Sequence, residues 1–155
     1  MPRHDAPDVA FYPPVLFAGA PIAAMILDWI IPLHILGKGP IQIAAGFVIL
    51  IVAMTLGLWG IVAFKRAGTN VSPHASALIV VTDGPYRFTR NPMYLGIALF
   101  QLGLGLAASL DWSVIIAPLV LAALHYGVVL REEAYLTAKF GAPYTEYLDK
   151  TRRWL

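Results

Sequence analysis

The chain contains no cysteine. Disulfides, thiolate metal sites and a cysteine nucleophile are thereby excluded, and no metal is expected. Charge is scarce as well: 13% of residues are Asp, Glu, Lys or Arg, against 59% hydrophobic. The helices of a soluble globule keep a polar face, and here whole stretches have none. A net charge of +2 is too small an electrostatic footprint for nucleic acid, so no such partner is expected. No signal peptide stands out: residues 1–14 are polar and proline-rich, and the first apolar run is too long for an h-region. At 155 residues the length suits a single domain, 1–155.

What the chain has in abundance is hydrocarbon. A bilayer core of about 30 Å calls for roughly 20 apolar residues per helix. Residues 15–36 and 41–64 meet that length, and 93–110 and 113–130 come near it. Gly37-Lys38-Gly39-Pro40 reads as a tight turn, and Asp111-Trp112 places a Trp where an interfacial belt would put it. The expected fold is all-α and integral to the membrane: about four transmembrane helices in two hairpins, with a connection and a helical tail closing a pocket. With four spans, both termini and the connection 65–91 share one side. That side collects Arg3, Lys65, Arg66, Arg87, Arg90, Arg131, Lys139, Lys150, Arg152 and Arg153, leaving only Lys38 opposite. Ten cations against one orient the bundle with termini and connection in the cytoplasm. A multi-pass protein of a bacterial cytoplasmic membrane is the expected setting, with the lipid bilayer as its first partner.

The connection is far longer than the usual 2–8 residues between helices. Its middle, SALIVVTDG, holds β-branched residues between Pro73 and Gly84, which predicts an ordered, partly extended segment against the mouth of the bundle. After Leu130 the polar tail continues helically to Phe140, breaks at Gly141 and resumes as an amphipathic helix from about Pro143.

Polar chemistry crowds into TDGPYRFTRNPMYLG, residues 82–96. Asn is a preferred N-cap and Pro a preferred first helical residue, so the third span should start at Pro92 with Asn91 capping it. Its free N–H groups attract anions. Arg87 and Arg90 stand beside them, and Tyr86 and Tyr94 add aromatic faces. The plainer reading is a capped helix whose arginines sit among lipid headgroups. A second cluster, Arg131-Glu132-Glu133, ends the fourth span at the same membrane face, and there too solvated helix residues are the plain reading. His125 lies seven residues before Glu132, two helical turns away on one face, and there the plainer reading is a packing or interhelical hydrogen-bond residue. Asp28, beside Trp29, is read as a partnered or interfacial residue rather than a catalytic one.

The segment ALIVVTDGPYRFTRNPMYLG, followed about 35 residues later by REEAYLTAKFGAPYTEYLDKTRRWL, resembles the isoprenylcysteine carboxyl methyltransferase and phospholipid methyltransferase superfamily. The pattern is L-V-T-x-G-x-Y-x-x-x-R-H-P-x-Y, then E-E and F-G-x-x-Y-x-x-Y, covering roughly 65–155. The resemblance implies an integral-membrane enzyme using S-adenosylmethionine, with cofactor-binding motifs at 78–94 and 131–147. It assigns cofactor contact to Leu78, Ile79, Val80, Val81, Tyr86, Arg90, Asn91, Pro92, Met93, Tyr94 and Glu132. The ligand's chemistry agrees: a helix N-terminus suits its carboxylate, tyrosine faces its sulfonium, and Glu132 its ribose hydroxyls.

Two positions depart from the pattern. The family's histidine is Asn91 here, which weakens any scheme of proton abstraction at that site. An acceptor-side arginine of the isoprenylcysteine enzymes, one turn before the glutamates, corresponds to Val128, and Arg131 is off that register. The implied reaction is methyl transfer to a lipophilic or membrane-borne acceptor: an isoprenylcysteine-like carboxylate, a phospholipid amine or a small thiol. The acceptor is expected to enter from lipid between the third and fourth spans, where Gly96, Gly103, Gly105 and Ala107 serve either a groove or close packing. His125 and Glu133 are candidate bases, and Arg131 is a third candidate catalytic side chain. A membrane reductase of the sterol-reductase type using NADPH is the alternative, and 155 residues are short for one. A non-catalytic adaptor would leave the crowded motifs unexplained. Oligomeric state is left open.

Cysteines introduced at Gly39 and Gly141 should label from opposite sides of intact vesicles; labelling of both from one side would overturn the four-span orientation.

Overall fold

The structure, a computed structural model, describes residues 5–155; Arg3, counted above among the basic residues of one side, lies outside them. The described residues are helical with no strands: α1 (Pro13–Ile30), α2 (Pro40–Arg66), α3 (Pro92–Ala108), α4 (Asp111–Leu124), α5 (Leu130–Phe140) and α6 (Ala142–Lys150). A π-helical turn, His125–Val129, joins α4 to α5 into one continuous helix. α1, α2 and the 30-residue helix Asp111–Phe140 are each long and apolar enough to cross a membrane. α3 is apolar with 17 residues, about 26 Å at 1.5 Å per residue, and the four-span count depends on it.

Proline sets the helix starts. Pro occupies the first turn of α1, α2 and α3, where its missing N–H is no loss. It also ends α1 early. The first span was expected to reach residue 36, yet the helix stops at Ile30 and Ile31 adopts φ −134°, ψ 76°. Pro32 follows, and a residue before proline is driven out of the α region. The loop this creates is held by the far hairpin. Asp111, 3% exposed, accepts hydrogen bonds from the backbone N–H of Leu36 at 2.7 Å and Ile35 at 3.3 Å. Trp112 Nε1 donates to the Ile31 carbonyl at 2.8 Å. Asp111-Trp112 is therefore more than an interfacial belt; it supplies the polar partners that a broken helix needs.

The chain reverses as expected, but the lateral order is its own. α2 packs along α3, α3 along α4 and α4 along α1, while α1 and α2 scarcely meet. The α2–α3 seam is the tightest, because small residues bring the two backbones together. A Cβ on Gly96 would stand 2.9 Å from the Ala53 carbonyl oxygen, and one on Gly103 2.9 Å from the Leu50 nitrogen. Gly46 faces Gly103 and Ala107 across the same seam. Gly105 lies equally close to Val114, and Ser113 Oγ donates to the Gln101 carbonyl at 2.8 Å. These small residues serve close packing. At its turn end the α3–α4 seam is closely packed.

Because Gly60 of α2 lies against Met93 of α3, the end of α2 and the start of α3 coincide at one end of the bundle. The connection, α5, α6 and the C-terminus converge there, which makes it the basic end. Gly141 breaks the tail as expected, at φ +60°, so Lys150 is a less strained reporter of that side than Gly141.

Gly96→Ala should wedge the α2–α3 seam, costing roughly 1–3 kcal/mol as overpacking typically does. Thermal unfolding in detergent measures it; an unchanged midpoint would show that the seam is looser than drawn.

Candidate functional site

At the basic end the connection folds back across the end of the bundle. A 3-10 turn, Gly84–Arg87, tucks the Tyr86 ring against Phe64 of α2, centroids 5.1 Å apart. α6 closes on it from the other side: the Tyr147 hydroxyl donates to the Tyr86 carbonyl at 2.8 Å. Burial pushes the Tyr86 phenol well above its ordinary pKa, and the nearby Glu132 carboxylate adds to this. Tyr86 is therefore a neutral hydroxyl, and it has no hydrogen-bond partner among the described residues.

Asn91 occupies the N-cap position of α3, but its side chain makes no cap hydrogen bond. The expected cap is thus corrected. Its Nδ2 instead donates to the Arg153 carbonyl at 3.0 Å, as does Thr89 Oγ1 at 3.2 Å. The Arg90 N–H reaches the Arg152 carbonyl at 2.9 Å. The C-terminal residues lie alongside the start of α3 like an extra strand of chain, and buried polar groups pair with them rather than with the helix end.

The acidic pair divides its work. Glu132 Oε1 accepts from the Tyr94 hydroxyl at 2.7 Å. Glu133 is held by Arg153, with Nη2–Oε2 2.8 Å and Nε–Oε1 3.0 Å, and lies 3.4 Å from Arg90 Nη2. Both Glu133 oxygens are thus engaged by arginines. The shared face expected for His125 and Glu132 is also corrected. The intervening π turn carries an extra residue, which rotates the following helix relative to a straight α-helix. His125 packs toward Trp154, centroids 6.1 Å apart, and does not line the site. Arg131 leaves it too, donating to the Asp8 carbonyl at 2.8 Å. Val128 is fully buried in the core, so no basic group stands at the register of the acceptor-side arginine.

Between these elements lies a cavity of about 100 Å³. Ile79, Val80 and Val81 line it from the connection; Tyr86, Arg90, Asn91, Met93 and Tyr94 from the motif around α3; and Glu132 and Glu133 from α5. Leu78 and Pro92, assigned by resemblance, do not: Leu78 is exposed and Pro92 is packed in the first turn of α3. Sequence reasoning did not name Tyr144 and Tyr147, which line the cavity from α6, although their i, i+3 spacing in the tail motif puts both on one face. Pro7 and residues of the stretch 70–77 also line the wall; the connection was expected against the mouth, but no single residue of 70–75 was marked in advance as lining it. Residues 5–12 cross this wall as a strap. Asp5 Oδ2 meets Lys139 Nζ and Ser76 Oγ at 2.6 Å each. Hydrogen bonding by Lys139 holds the Asp5 carboxyl down at about 2. A carboxyl depressed in this way keeps its charge, and hence the tether, above its ordinary range and loses it only as pH falls toward that value. The Asp28 side chain, near the end of α1, takes no part in the cavity.

A second, apolar groove of about 500 Å³ adjoins the first. It lies where α1 and α2 fail to meet, floored by Gly96 and Ile97 of α3 and walled by Phe17 of α1 and Met54 and Leu58 of α2. Ser72, Pro73, Met93 and Tyr94 border both spaces.

The sequence model of the phospholipid methyltransferase family matches residues 41–143, about two thirds of the chain. The chain belongs to the phospholipid methyltransferase family. This member of the phospholipid methyltransferase family is 35% identical over 72 residues to a protein-S-isoprenylcysteine O-methyltransferase of Schizosaccharomyces pombe, covering 46% of this chain and 30% of that one. It therefore matches less than a third of that relative's length. An uncharacterized protein of Haemophilus influenzae is 46% identical over 66 residues, 41% of this chain and 100% of its own. No solved structure matches. The family match begins in α2, earlier than the resemblance quoted above, and stops before Tyr144.

Asn91→Asp distinguishes the two roles for that residue. A cap would survive it, since Asp caps as well as Asn, whereas a donor to the Arg153 carbonyl is lost. Asp and Ala variants should both weaken tail docking by about 1 kcal/mol, read as faster release of Leu155 and Trp154 by carboxypeptidase. Wild-type resistance in Asn91→Asp alone would restore the capping account.

Proposed function

We propose that this chain is a membrane methyltransferase that uses S-adenosylmethionine and serves a lipophilic acceptor reaching the site from the bilayer. The observation that carries the reading is the juxtaposition of a cavity at the basic end, into whose wall Arg90, Glu132 and Glu133 are set, with an apolar groove open between α1 and α2. Family membership and the relative of named activity support it.

The residues present fit the cofactor's chemistry. Tyr86 and Arg90 line the cavity, their hydroxyl and Nε are buried with no hydrogen-bond partner among the described residues, and a buried polar group without one costs about 1–3 kcal/mol until a ligand satisfies it. Glu132 has acceptor capacity beyond the one Tyr94 bond for ribose hydroxyls. The tyrosine faces suit a sulfonium. The cavity of about 100 Å³ is smaller than a nucleoside needs, so loading must displace part of its wall. The stretch 70–77 is the piece held lightly: Asn70 Nδ2 to the Ser76 carbonyl, Ala77 N–H to the Tyr135 hydroxyl, and Ser76 to Asp5. Outward movement of this segment with the strap is a conformational step of the kind that gates many enzymes.

When bound, the cofactor supplies a methyl group already activated on sulfur. The chain's share is to orient and to dry the site. Arg90 and Tyr86 hold one end of the ligand and Glu132 the other. Met93 and Tyr94 stand at the boundary between the two spaces, where the acceptor's reacting atom must arrive. Glu133 is occupied and His125 lies elsewhere, so an acceptor that is already nucleophilic, a carboxylate or thiolate or an amine arriving neutral, suits the site best. The groove replaces the α3–α4 seam as the acceptor's route. The ten-to-one cation asymmetry supports a site on the cytoplasmic side.

Detergent-purified protein should bind radiolabelled S-adenosylmethionine and not NADPH. Glu132→Gln should weaken that binding by roughly 10- to 150-fold, the usual loss for a charged hydrogen-bond acceptor. NADPH binding without S-adenosylmethionine binding would favour a reductase, and binding of neither would leave the reading without support.

A further inference from the structure

The C-terminal residues lie beyond the family match, yet they reach the cavity wall through one side chain. Arg153 is docked by its backbone, its carbonyl accepting from Thr89 and Asn91. Its guanidinium turns to Glu133 and takes both carboxylate oxygens at 2.8–3.2 Å. Arg90 approaches the same carboxylate only to 3.4 Å, and its buried Nε has no partner among the described residues. The side chains of Glu133 and Arg90 are 13% and 11% exposed.

The pairing is therefore unequal. Two guanidiniums share one carboxylate, and the shorter, forked geometry belongs to the residue that lies outside the cavity wall. A net positive charge and an unused N–H donor remain on Arg90, in surroundings where water screens poorly. Without Arg153, nothing would stop Glu133 from closing on Arg90 and neutralising it. We propose that Arg153 is a positioning residue: by drawing Glu133 to itself, it keeps Arg90 available for the carboxylate end of the bound cofactor. The inference rests on the methyltransferase reading and assigns the C-terminus a part in ligand recognition.

Two probes separate this role from a merely structural one. S-adenosylhomocysteine carries the amino-acid carboxylate, and 5′-methylthioadenosine has the same nucleoside without it. Both are titrated against the detergent-purified full chain and its variants. Wild type should prefer S-adenosylhomocysteine, and Arg153→Met should reduce that preference about tenfold, as expected for loss of one charge-assisted contact, with methylthioadenosine affinity unchanged. Arg153→Lys, which keeps a cation on Glu133, should retain most of the preference and serves if the Met variant folds poorly. In a Glu133→Gln background there is no carboxylate to divide, so Arg153→Met should have no further effect on the ratio. Equal weakening of both probes by Arg153→Met, or an unaltered ratio, overturns the proposal while leaving the methyltransferase reading intact. Binding of neither probe by wild type overturns both.

Discussion

The basic end is organised around one carboxylate. Glu133 comes from α5, Arg90 from the approach to α3 and Arg153 from the C-terminus, so three segments distant in sequence meet at a single side chain. Removing one member of a well-buried pair typically costs about 3–5 kcal/mol, because the survivor keeps its desolvation penalty. Here the three side chains are only partly screened from water, so the cost is smaller, but the logic is the same. Once Glu133 is held, Glu132 beside it is directed to Tyr94, and the tail lies where Asn91 and Thr89 can grip it.

Reaching that point depends on the seam between α2 and α3. Gly46, Gly96 and Gly103 let the two backbones approach closely, so that Phe64 near the end of α2 meets the Tyr86 turn before α3 begins. Membrane helices gain little from hydrophobic burial against each other, since lipid is equally apolar, and close van der Waals packing takes its place. The same economy explains the groove. α1 packs on α4 rather than α2, and the space left over α3 is lined by apolar side chains facing the bilayer.

Much of this was legible beforehand. Helix class, the start of α3 at Pro92 and the break at Gly141 follow from local rules: apolar length, ring geometry at proline and φ freedom at glycine. The assignments that failed share a different cause. Asn91 has the composition of a cap, yet the Arg153 carbonyl, 62 residues away, competes for its amide. His125 and Glu132 share a face on a regular helix, and one π turn removes that relation. The end of α1 was legible in Pro32, but the partner that makes its loop tolerable, Asp111, is 75 residues distant.

By itself, then, the sequence determined that this is a helical, membrane-type chain with its cations at one end and two polar motifs of one family. Those properties depend on hydropathy, charge count and backbone preference, each a function of residues within a few positions of one another. Only the tertiary structure decided which carboxylate bonds to Tyr94 and which is clamped between arginines, that the lateral opening lies between α1 and α2, and that the last residues dock along the start of α3. Those outcomes depend on competition among partners far apart in the chain, where tenths of an ångström and the number of available donors select the pairing.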